Sequence, residues 1–188
     1  MKVDKRVKST KEQLYVSFLK LMKEMPIEKI TISRLCIEAK INRNTFYTHY
    51  GSVEALLGEI EENFGSLVKN EFYQSLDQSY VNSIEGFLEK LLTVVKNNKE
   101  IVKLFFSKNG DREFVARILG EIFPMVSTLW SNQNVDKRYL DLAYIYISGG
   151  AIRVIEDWVR KDCQDDLVFI ASFLNTLITK GPYSIFAQ

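Results

Sequence analysis

The spacing of apolar residues is the feature that most restricts what this 188-residue chain can fold into. In almost every segment, apolar residues recur at intervals of three and four, which places them on one face of an α-helix. No segment shows the strict alternation of apolar and polar residues that a half-buried β-strand requires. The sequence therefore predicts an all-α fold whose core is built from the apolar faces of helices.

Composition and segment lengths narrow the class of protein. A chain with 46% hydrophobic and 26% charged residues is typical of a globular protein. The charged start, MKVDKRVKST, is unlike a secretory signal. The longest nearly uncharged apolar run, at 142–152, is about half the length that a bilayer span needs. Cys36 and Cys163 belong to no CxxC pair. We expect a soluble, cytoplasmic protein without a disulfide, a metal or another cofactor.

Two helices are predicted at the N-terminus. The first is expected to begin at Ser9 or Thr10, whose S-x-x-E and T-x-x-Q spacings each offer a capping box. It should end near Met25, because Pro26 cannot continue a helix. Thr31 can cap the second helix. The apolar stripe of that second helix, at i, i+3, i+4 and i+7, consists of Ile32, Leu35, Cys36 and Ala39.

A short third helix and a long fourth helix follow. Asn42 is suited to cap the third, RNTFYTHY at 43–50, in which Phe46 and Tyr50 share one face. The side chains left facing elsewhere are Arg43, Asn44, Thr45, Tyr47 and Thr48. Ser52 can cap the fourth helix, whose apolar stripe consists of Leu56, Leu57, Ile60, Phe64, Leu67 and Val68.

The N-terminal segment has the organisation of a helix-turn-helix. Residues 1–50 carry 11 Lys and Arg against 5 Asp and Glu, whereas the remainder carries 14 against 19. A tight turn between two short helices on a basic segment indicates that the later helix enters the major groove of DNA. Small polar residues at its start can reach base edges, Arg43 can pair with guanine, and Tyr47 and His49 can donate to phosphates. The alternative is an amphipathic helix with a solvated polar face.

The stretch ITISRLCIEAKINRNTFYTHYGSVEALL at 30–57 carries a more specific signal. It resembles the N-terminal DNA-binding domain of the TetR/AcrR family of bacterial transcriptional regulators, over about 50 residues of the chain. The resemblance rests on the Thr that opens the second helix, the apolar spacing through Leu35 and Ala39, the TFYxHY stretch, and the ALL at the start of the fourth helix.

The family resemblance implies roles for individual residues. Thr31 and Tyr47 are expected to touch phosphates, and His49 to lie at the DNA backbone. The residues expected to face bases are Arg43, Asn44 and Thr45, and Phe46 belongs to the domain core. The chain departs from the family at Lys40, where a glycine is common in the turn. It departs again at Gly51-Ser52-Val53, where a phosphate-binding lysine is common.

The remainder of the chain, 51–188, is expected to form a helical regulatory and dimerisation domain. Helices are predicted near 52–75, 80–97, 99–107, 112–131, 136–161 and 166–180. The last two are the candidate homodimer interface, through Leu142, Ile145, Gly149, Ile152, Ile155 and Val159, then Leu167, Ile170, Leu174, Leu177 and Ile178. Gly149 and Gly150 each cost about 1 kcal/mol in a helix relative to alanine. Close approach of another helix, a bound ligand or an internal packing notch would each explain them.

These features together predict a DNA-binding transcriptional regulator. Aromatic residues are concentrated in the C-terminal portion, and in this family such a domain often encloses a pocket for an apolar or aromatic effector. We expect a repressor that a small molecule releases from an inverted-repeat operator on double-stranded DNA. The alternative within this fold is a coactivator, or a regulator that answers to a protein partner instead of an effector.

An enzyme is a remote alternative. The single histidine lies in the helix-turn-helix, and the sequence contains no GxGxxG or GxxxxGKS phosphate loop. Carboxylate-only chemistry would have to use adjacent pairs such as Glu61-Glu62 and Asp165-Asp166. The members of each pair point to different helix faces, so they are expected to be solvated surface groups.

Overall fold

The structure is a computed structural model that describes residues 2–76, 84–108, 110, 114–118, 120–121 and 136–186, without the side chains of 2–8, 72, 74–76 and 186. All regular secondary structure in these described residues is helical, in agreement with the all-α prediction. They divide into two compact units, residues 1–64 with 104–112, and residues 65–103 with 113–188.

Three helices begin the N-terminal unit: α1 (Lys2–Glu24), α2 (Ile32–Glu38) and α3 (Arg43–Tyr47). Helix α2 contacts both α1 and α3. The caps follow the predicted residues, because the Thr31 Oγ1 accepts from the Arg34 N–H at 3.2 Å and the Asn42 Oδ1 accepts from the Thr45 N–H at 2.7 Å. A short 3₁₀ turn at Ile27–Lys29 joins α1 to the segment before Thr31.

Two predicted boundaries in this unit are wrong. Helix α1 begins at Lys2 instead of Ser9 or Thr10, so the capping-box residues lie inside the helix. Lysine and arginine are good helix formers and extend the helix through the basic N-terminal stretch. Helix α3 ends at Tyr47 instead of 50, with Thr48 as its C-terminal cap and a turn before the buried Tyr50.

The turn between α2 and α3 is closed by two backbone hydrogen bonds. The Lys40 N–H donates to the Ile37 carbonyl at 3.2 Å, and the Ile41 N–H donates to the Cys36 carbonyl at 3.0 Å. This pairing is the Schellman motif, whose residue in the left-handed conformation is usually glycine. Here that residue is Lys40, with φ of 53°. A side chain in this conformation costs about 1 kcal/mol.

Helix α4 (Val53–Leu76) follows, and the boundary between the units at 64/65 falls within it. The Ser52 Oγ accepts from the Ala55 N–H at 3.2 Å, as the predicted cap requires. The predicted apolar stripe of α4 is buried at Leu56, Ile60, Phe64 and Val68, but Leu67 is 45% exposed. Leu67 therefore lies at the edge of the stripe.

The C-terminal unit contains four further helices that are described in full: α5 (Ile84–Asn97), α6 (Lys99–Phe105, which ends just inside the N-terminal unit), α7 (Lys137–Arg160) and α8 (Leu167–Lys180). A short α9 (Tyr183–Phe186), which was not predicted, closes the described chain. The helix predicted near 112–131 is helical at 114–118 and 120–121, and residues 122–131 lie outside the described residues, as do 80–83. Helix α5 packs against α7 and α8.

The connection between α7 and α8 is fixed by ion pairs and a hydrogen bond to neighbouring helices. Asp162 and Cys163 both have positive φ, of 61° and 55°. The Lys99 and Lys103 ammonium groups donate to Asp162 Oδ1 at 3.1 and 2.6 Å. The Trp158 indole N–H donates to the Asp165 carbonyl at 3.0 Å, with the Trp158 ring fully buried. These contacts compensate for two residues in an unfavourable backbone conformation.

Each unit contains one buried free cysteine. Cys36 is 4% exposed on α2, and Cys163 is 6% exposed after α7. Burial raises the pKa of both thiols, because removal from water disfavours the thiolate. Nearby positive charge, from Arg43 at Cys36 and mainly from Lys99 at Cys163, opposes that rise in pKa only in part.

The first prediction concerns the strained turn. Lys40→Gly should raise the free energy of unfolding by about 1 kcal/mol, because glycine adopts positive φ without a Cβ clash. Lys40→Ala is the matched control, since it removes the charge but keeps the Cβ, and it should leave stability close to that of the wild type. Urea unfolding followed by circular dichroism measures both variants. Equal stabilisation by glycine and alanine would show that the lysine charge, not its backbone conformation, is the costly feature.

Candidate nucleic-acid interface

The orientation of α3 is determined by one aromatic ring. Phe46 is fully buried, and its ring lies 5.9 Å from that of the buried Tyr50. Because α3 has only five residues, its backbone hydrogen bonds alone cannot hold it folded. The burial of Phe46 and the Asn42 cap therefore hold the helix in place and determine which face it exposes.

The exposed face of α3 carries most of the predicted site residues. Arg43, Asn44, Tyr47 and Thr48 are exposed, and their spacing places them on one side of the helix, away from Phe46. Tyr47 is 56% exposed, and its ring packs edge-on against Phe46 with centroids 5.8 Å apart. This contact packs one part of the ring against the core while more than half of the side chain stays exposed. We call these four residues the recognition face.

The two threonines of the segment already use their hydroxyl protons within the chain. The Thr45 hydroxyl donates to Asn42 Oδ1 at 3.0 Å, and the Thr48 hydroxyl donates to the Thr45 carbonyl at 2.7 Å. Thr45 is also half-buried. In this arrangement both residues can offer oxygen lone pairs or methyl groups to another molecule, which suits contact with a thymine methyl group.

Arg43 of α3 contacts a residue in the first turn of α2. Thr31 is exposed at the start of α2, and the Arg43 guanidinium of α3 donates to the hydroxyl of Ser33, two residues after Thr31. Ser33 was not singled out from the sequence. Its position within the first turn of α2, two residues after the capping Thr31, is the signal that could have identified it.

His49 is less accessible than the residues of the recognition face. It is half-buried after the end of α3, with its ring centroid 6.4 Å from that of Tyr50. Its backbone N–H donates to the Phe46 carbonyl at 2.9 Å. The side chain is therefore next to the recognition face but not part of it.

A polar cluster behind the recognition face was also missed from the sequence. The Lys11 ammonium of α1 lies 3.0 and 2.7 Å from the two carboxylate oxygens of Glu59 in α4, and 5.3 Å from the centre of the Tyr50 ring. The Tyr50 hydroxyl donates to Glu59 Oε1 at 3.2 Å. Burial, and then the Glu59 charge and hydrogen bond, raise the pKa of Tyr50. The cluster joins α1, the segment after α3, and α4.

The C-terminal unit presents an apolar surface on its last long helices. On α7, Tyr139, Leu142, Ile145 and Tyr146 are between 58% and 74% exposed and share one face. On α8, Val168 and Phe169 are 55% and 60% exposed, and the Phe169 ring stacks on Phe173. We call this set the α7/α8 face. Four members of the predicted interface stripe are buried within the unit, so their prediction as interface residues is wrong: Ile155, Val159, Ile170 and Leu174.

The glycine pair lies at the end of this face, in a groove. The groove has a volume of about 370 Å³ and is lined by Tyr146, Ile147, Gly149, Gly150, Ala151, Leu174, Leu177, Ile178 and Pro182. A Cβ added at Gly149 or Gly150 would meet no atom of the described residues within 4 Å. In the described part of the chain, an internal packing notch therefore does not explain the pair.

Of the four carboxylates predicted to be solvated, one is buried. Glu61 is 8% exposed, so the expectation that it is a solvated surface group is wrong. It occupies a position four residues after Leu57 and three before Phe64, inside the apolar stripe of α4. Glu62, Asp165 and Asp166 are exposed, and the Asp166 Oδ1 caps α8 by accepting from the Phe169 N–H at 3.1 Å.

The described part of the chain carries neither a membrane span nor a metal cluster. No described helix is both long and apolar enough to cross a membrane. Among the same residues, no group of three or more His, Cys, Asp or Glu side chains is arranged to hold a metal ion.

Comparison with known proteins places the C-terminal half in one family. The family described as "Transcriptional regulator C-terminal region", a TetR C-terminal family, matches residues 82–180. No individual curated protein matches the chain.

Solved structures share the fold over most of the chain. A TetR transcriptional regulator from Streptococcus agalactiae is 23% identical, with 95% of this chain and 98% of that chain covered and a TM-score of 0.65. The regulator FadR from Bacillus subtilis, in complex with stearoyl-CoA, is 16% identical, with coverages of 90% and 98% and a TM-score of 0.65. The dihydroxyacetone kinase operon activator DhaS is 18% identical, with coverages of 91% and 94% and a TM-score of 0.62. At these identities the likeness establishes the fold.

Proposed function

Because the chain belongs to the TetR family of transcriptional regulators, as the stretch at 30–57 predicted, we propose that it is a repressor that a small molecule releases from DNA. In this proposal it acts in the cytoplasm as a homodimer on an inverted-repeat operator. The recognition face carries the proposal, because it presents two base-reading side chains and one phosphate-binding phenol on a short, firmly packed helix.

The proposed contacts divide by chemistry. Arg43 and Asn44, exposed at the start of α3, suit hydrogen bonding to base edges, and Thr45 offers a methyl group beside them. Thr31, Tyr47 and His49 suit contact with phosphate oxygens. The Thr48 hydroxyl proton is donated within the chain, so Thr48 can offer DNA only its methyl group and an oxygen lone pair. The functional division of the chain in this proposal is 1–50 for DNA binding and 51–188 for regulation and dimerisation.

The α7/α8 face supports the proposed dimer. Contiguous exposed apolar side chains mark interaction sites on soluble proteins, and a two-fold interface uses one such face from each copy. The face continues from Tyr139 through Ile145 to the open glycine pair, where another helix can approach closely because no Cβ is present. The last two long helices are therefore the proposed interface, through Leu142, Ile145 and Gly149 of the predicted stripe and not through its buried members.

An apolar effector is supported by the composition of the C-terminal unit and by a protein of the same fold. FadR from Bacillus subtilis forms a complex with stearoyl-CoA, so this fold can hold a molecule with a long apolar chain. A ligand releases DNA only if it binds the DNA-incompetent arrangement more tightly than the competent one. The second candidate is an activator that answers to a protein partner, which DhaS, an operon activator of the same fold, makes a specific alternative.

Operator selection tests the proposed function. Selection from a pool of random duplexes should enrich an inverted repeat whose half-site centres are about 34–36 Å apart, the spacing of successive major grooves on one side of the duplex. A reporter gene placed behind that repeat should be expressed more strongly when the protein is absent. Lower expression in its absence, with no response to any of a panel of apolar and aromatic compounds, would favour the activator. Failure to enrich any repeat would contradict both.

The recognition face makes a prediction about specificity. Arg43→Ala and Asn44→Ala should each cost about 1–3 kcal/mol of binding, and mainly on the selected operator, because base contacts carry sequence information. Tyr47→Phe should weaken binding to a similar degree on the operator and on a scrambled duplex, because a phosphate contact is independent of sequence. Fluorescence anisotropy on both duplexes measures the difference. Equal losses on both duplexes for all three variants would show that the assigned roles are wrong.

The α7/α8 face makes a prediction about assembly. Ile145→Glu should convert the protein from dimer to monomer, because it buries a charge without a partner in the centre of the interface. The matched control is Val16→Glu on α1, since Val16 is 64% exposed and Ile145 67%. Sedimentation velocity should show a dimer for the wild type and the control, and a monomer for Ile145→Glu. A monomeric wild type, or a dimeric Ile145→Glu variant, contradicts the proposed interface.

A further inference from the structure

The turn between α2 and α3 contains a charge that the fold does not need. Lys40 adopts φ of 53° at the glycine position of the Schellman motif, where its side chain is exposed. Both hydrogen bonds of the motif come from backbone groups, so glycine would complete the turn equally well and without steric cost. A lysine retained in an unfavourable conformation points to a role for its side chain.

The Lys40 ammonium has no carboxylate partner among the described residues, unlike two other lysines of the same unit. Lys11 is paired with Glu59 at 2.7 Å, and Lys20 is paired with Glu38 at 2.7 Å. Glu38 is the acidic residue nearest to Lys40 in sequence, and its pairing with Lys20 leaves Lys40 as an uncompensated positive charge. Such a charge is available to an anionic partner.

The position of Lys40 in the turn before α3 indicates which anion it can reach. Lys40 is separated only by Ile41 and the capping residue Asn42 from Arg43, the first residue of the helix that carries the recognition face. A helix-turn-helix brings the start of its second helix to the bases, which takes the turn before it past the phosphates at the edge of the groove. A lysine in that turn has a flexible stem and a point charge, which suit a phosphate rather than a base edge.

We propose that Lys40 binds a backbone phosphate beside each half-site and thereby contributes sequence-independent affinity. This inference rests on the proposed DNA-binding function. It assigns to the turn a contact that a glycine there could not make, and it explains why the chain tolerates the backbone cost. It also replaces, from another position, the phosphate contact that the residues Gly51-Ser52-Val53 cannot supply through a lysine side chain.

Two neutral variants separate this role from folding. Lys40→Asn and Lys40→Gly both remove the charge, and both residues tolerate positive φ, so neither should destabilise the turn. Lys40→Arg keeps the charge. Lys180→Asn, at the exposed end of α8, removes the same charge from the C-terminal unit and is the matched control. The probe is a labelled duplex of mixed sequence, about 30 base pairs long. This length lets two recognition helices one helical turn apart bind the same duplex.

Anisotropy titrations over a range of salt concentrations measure the contact. The asparagine and glycine variants should bind about five- to tenfold more weakly for each bound subunit in roughly 0.1 M salt, with a slope of log affinity against log salt that is smaller in magnitude by about 0.9 for each bound subunit. The arginine variant and Lys180→Asn should behave as the wild type. Urea unfolding of the same samples should show neutral variants at least as stable as the wild type, so weaker binding is not a loss of fold.

Three results would overturn the inference. Unchanged affinity and salt slope for Lys40→Asn, beside a wild type that binds DNA, would reject the phosphate contact and leave the proposed function standing. Equal losses of DNA affinity for Lys40→Asn and Lys180→Asn would show that the effect comes from the net charge of the protein and not from a contact at Lys40. A wild type that binds no duplex would reject this inference together with the proposed function.

Discussion

The burial of Phe46 is the interaction on which the candidate site depends. A fully buried phenylalanine side chain contributes about 1.5–3 kcal/mol relative to an exposed one, which is large for a helix of five residues. With that ring inside, the helix can expose only the opposite side, where Arg43, Asn44, Tyr47 and Thr48 lie. The recognition face is thus defined by packing beneath it, and not by contacts among its own members.

Support for this arrangement comes from polar groups placed around the same core. Asn42 holds the start of α3, and Thr31 holds the start of α2, each through a side-chain oxygen. The Lys11, Glu59 and Tyr50 cluster joins the first and fourth helices to the chain just after α3. Lys11 and Glu59 are both more than a third exposed, so solvent screens their attraction and the cluster contributes more to orientation than to stability.

Much of this was available from the sequence, because helix periodicity, caps and prolines are local signals. The caps at Thr31, Asn42 and Ser52 and the burial of Phe46 were predicted correctly. The start of α1 was not, since capping residues also occur inside helices and a basic stretch of good helix formers extends the helix past them. Glu61 was missed because its charge argued for solvent although its position lies within an apolar stripe. Contacts between distant residues, such as Lys11 with Glu59 or Arg43 with Ser33, leave no local signal in one sequence.

The two buried cysteines have a consequence for how the protein can be observed. A thiol must ionise before it reacts with an alkylating reagent, and burial with a raised pKa suppresses that reaction in the native state. One such thiol lies in each compact unit, Cys36 in the first and Cys163 in the second, and the chain contains no other cysteine. The rates at which the two thiols are modified therefore report separately on the opening of the two units, without any engineered label. The protein carries its own internal means of showing whether its two compact units open together or apart.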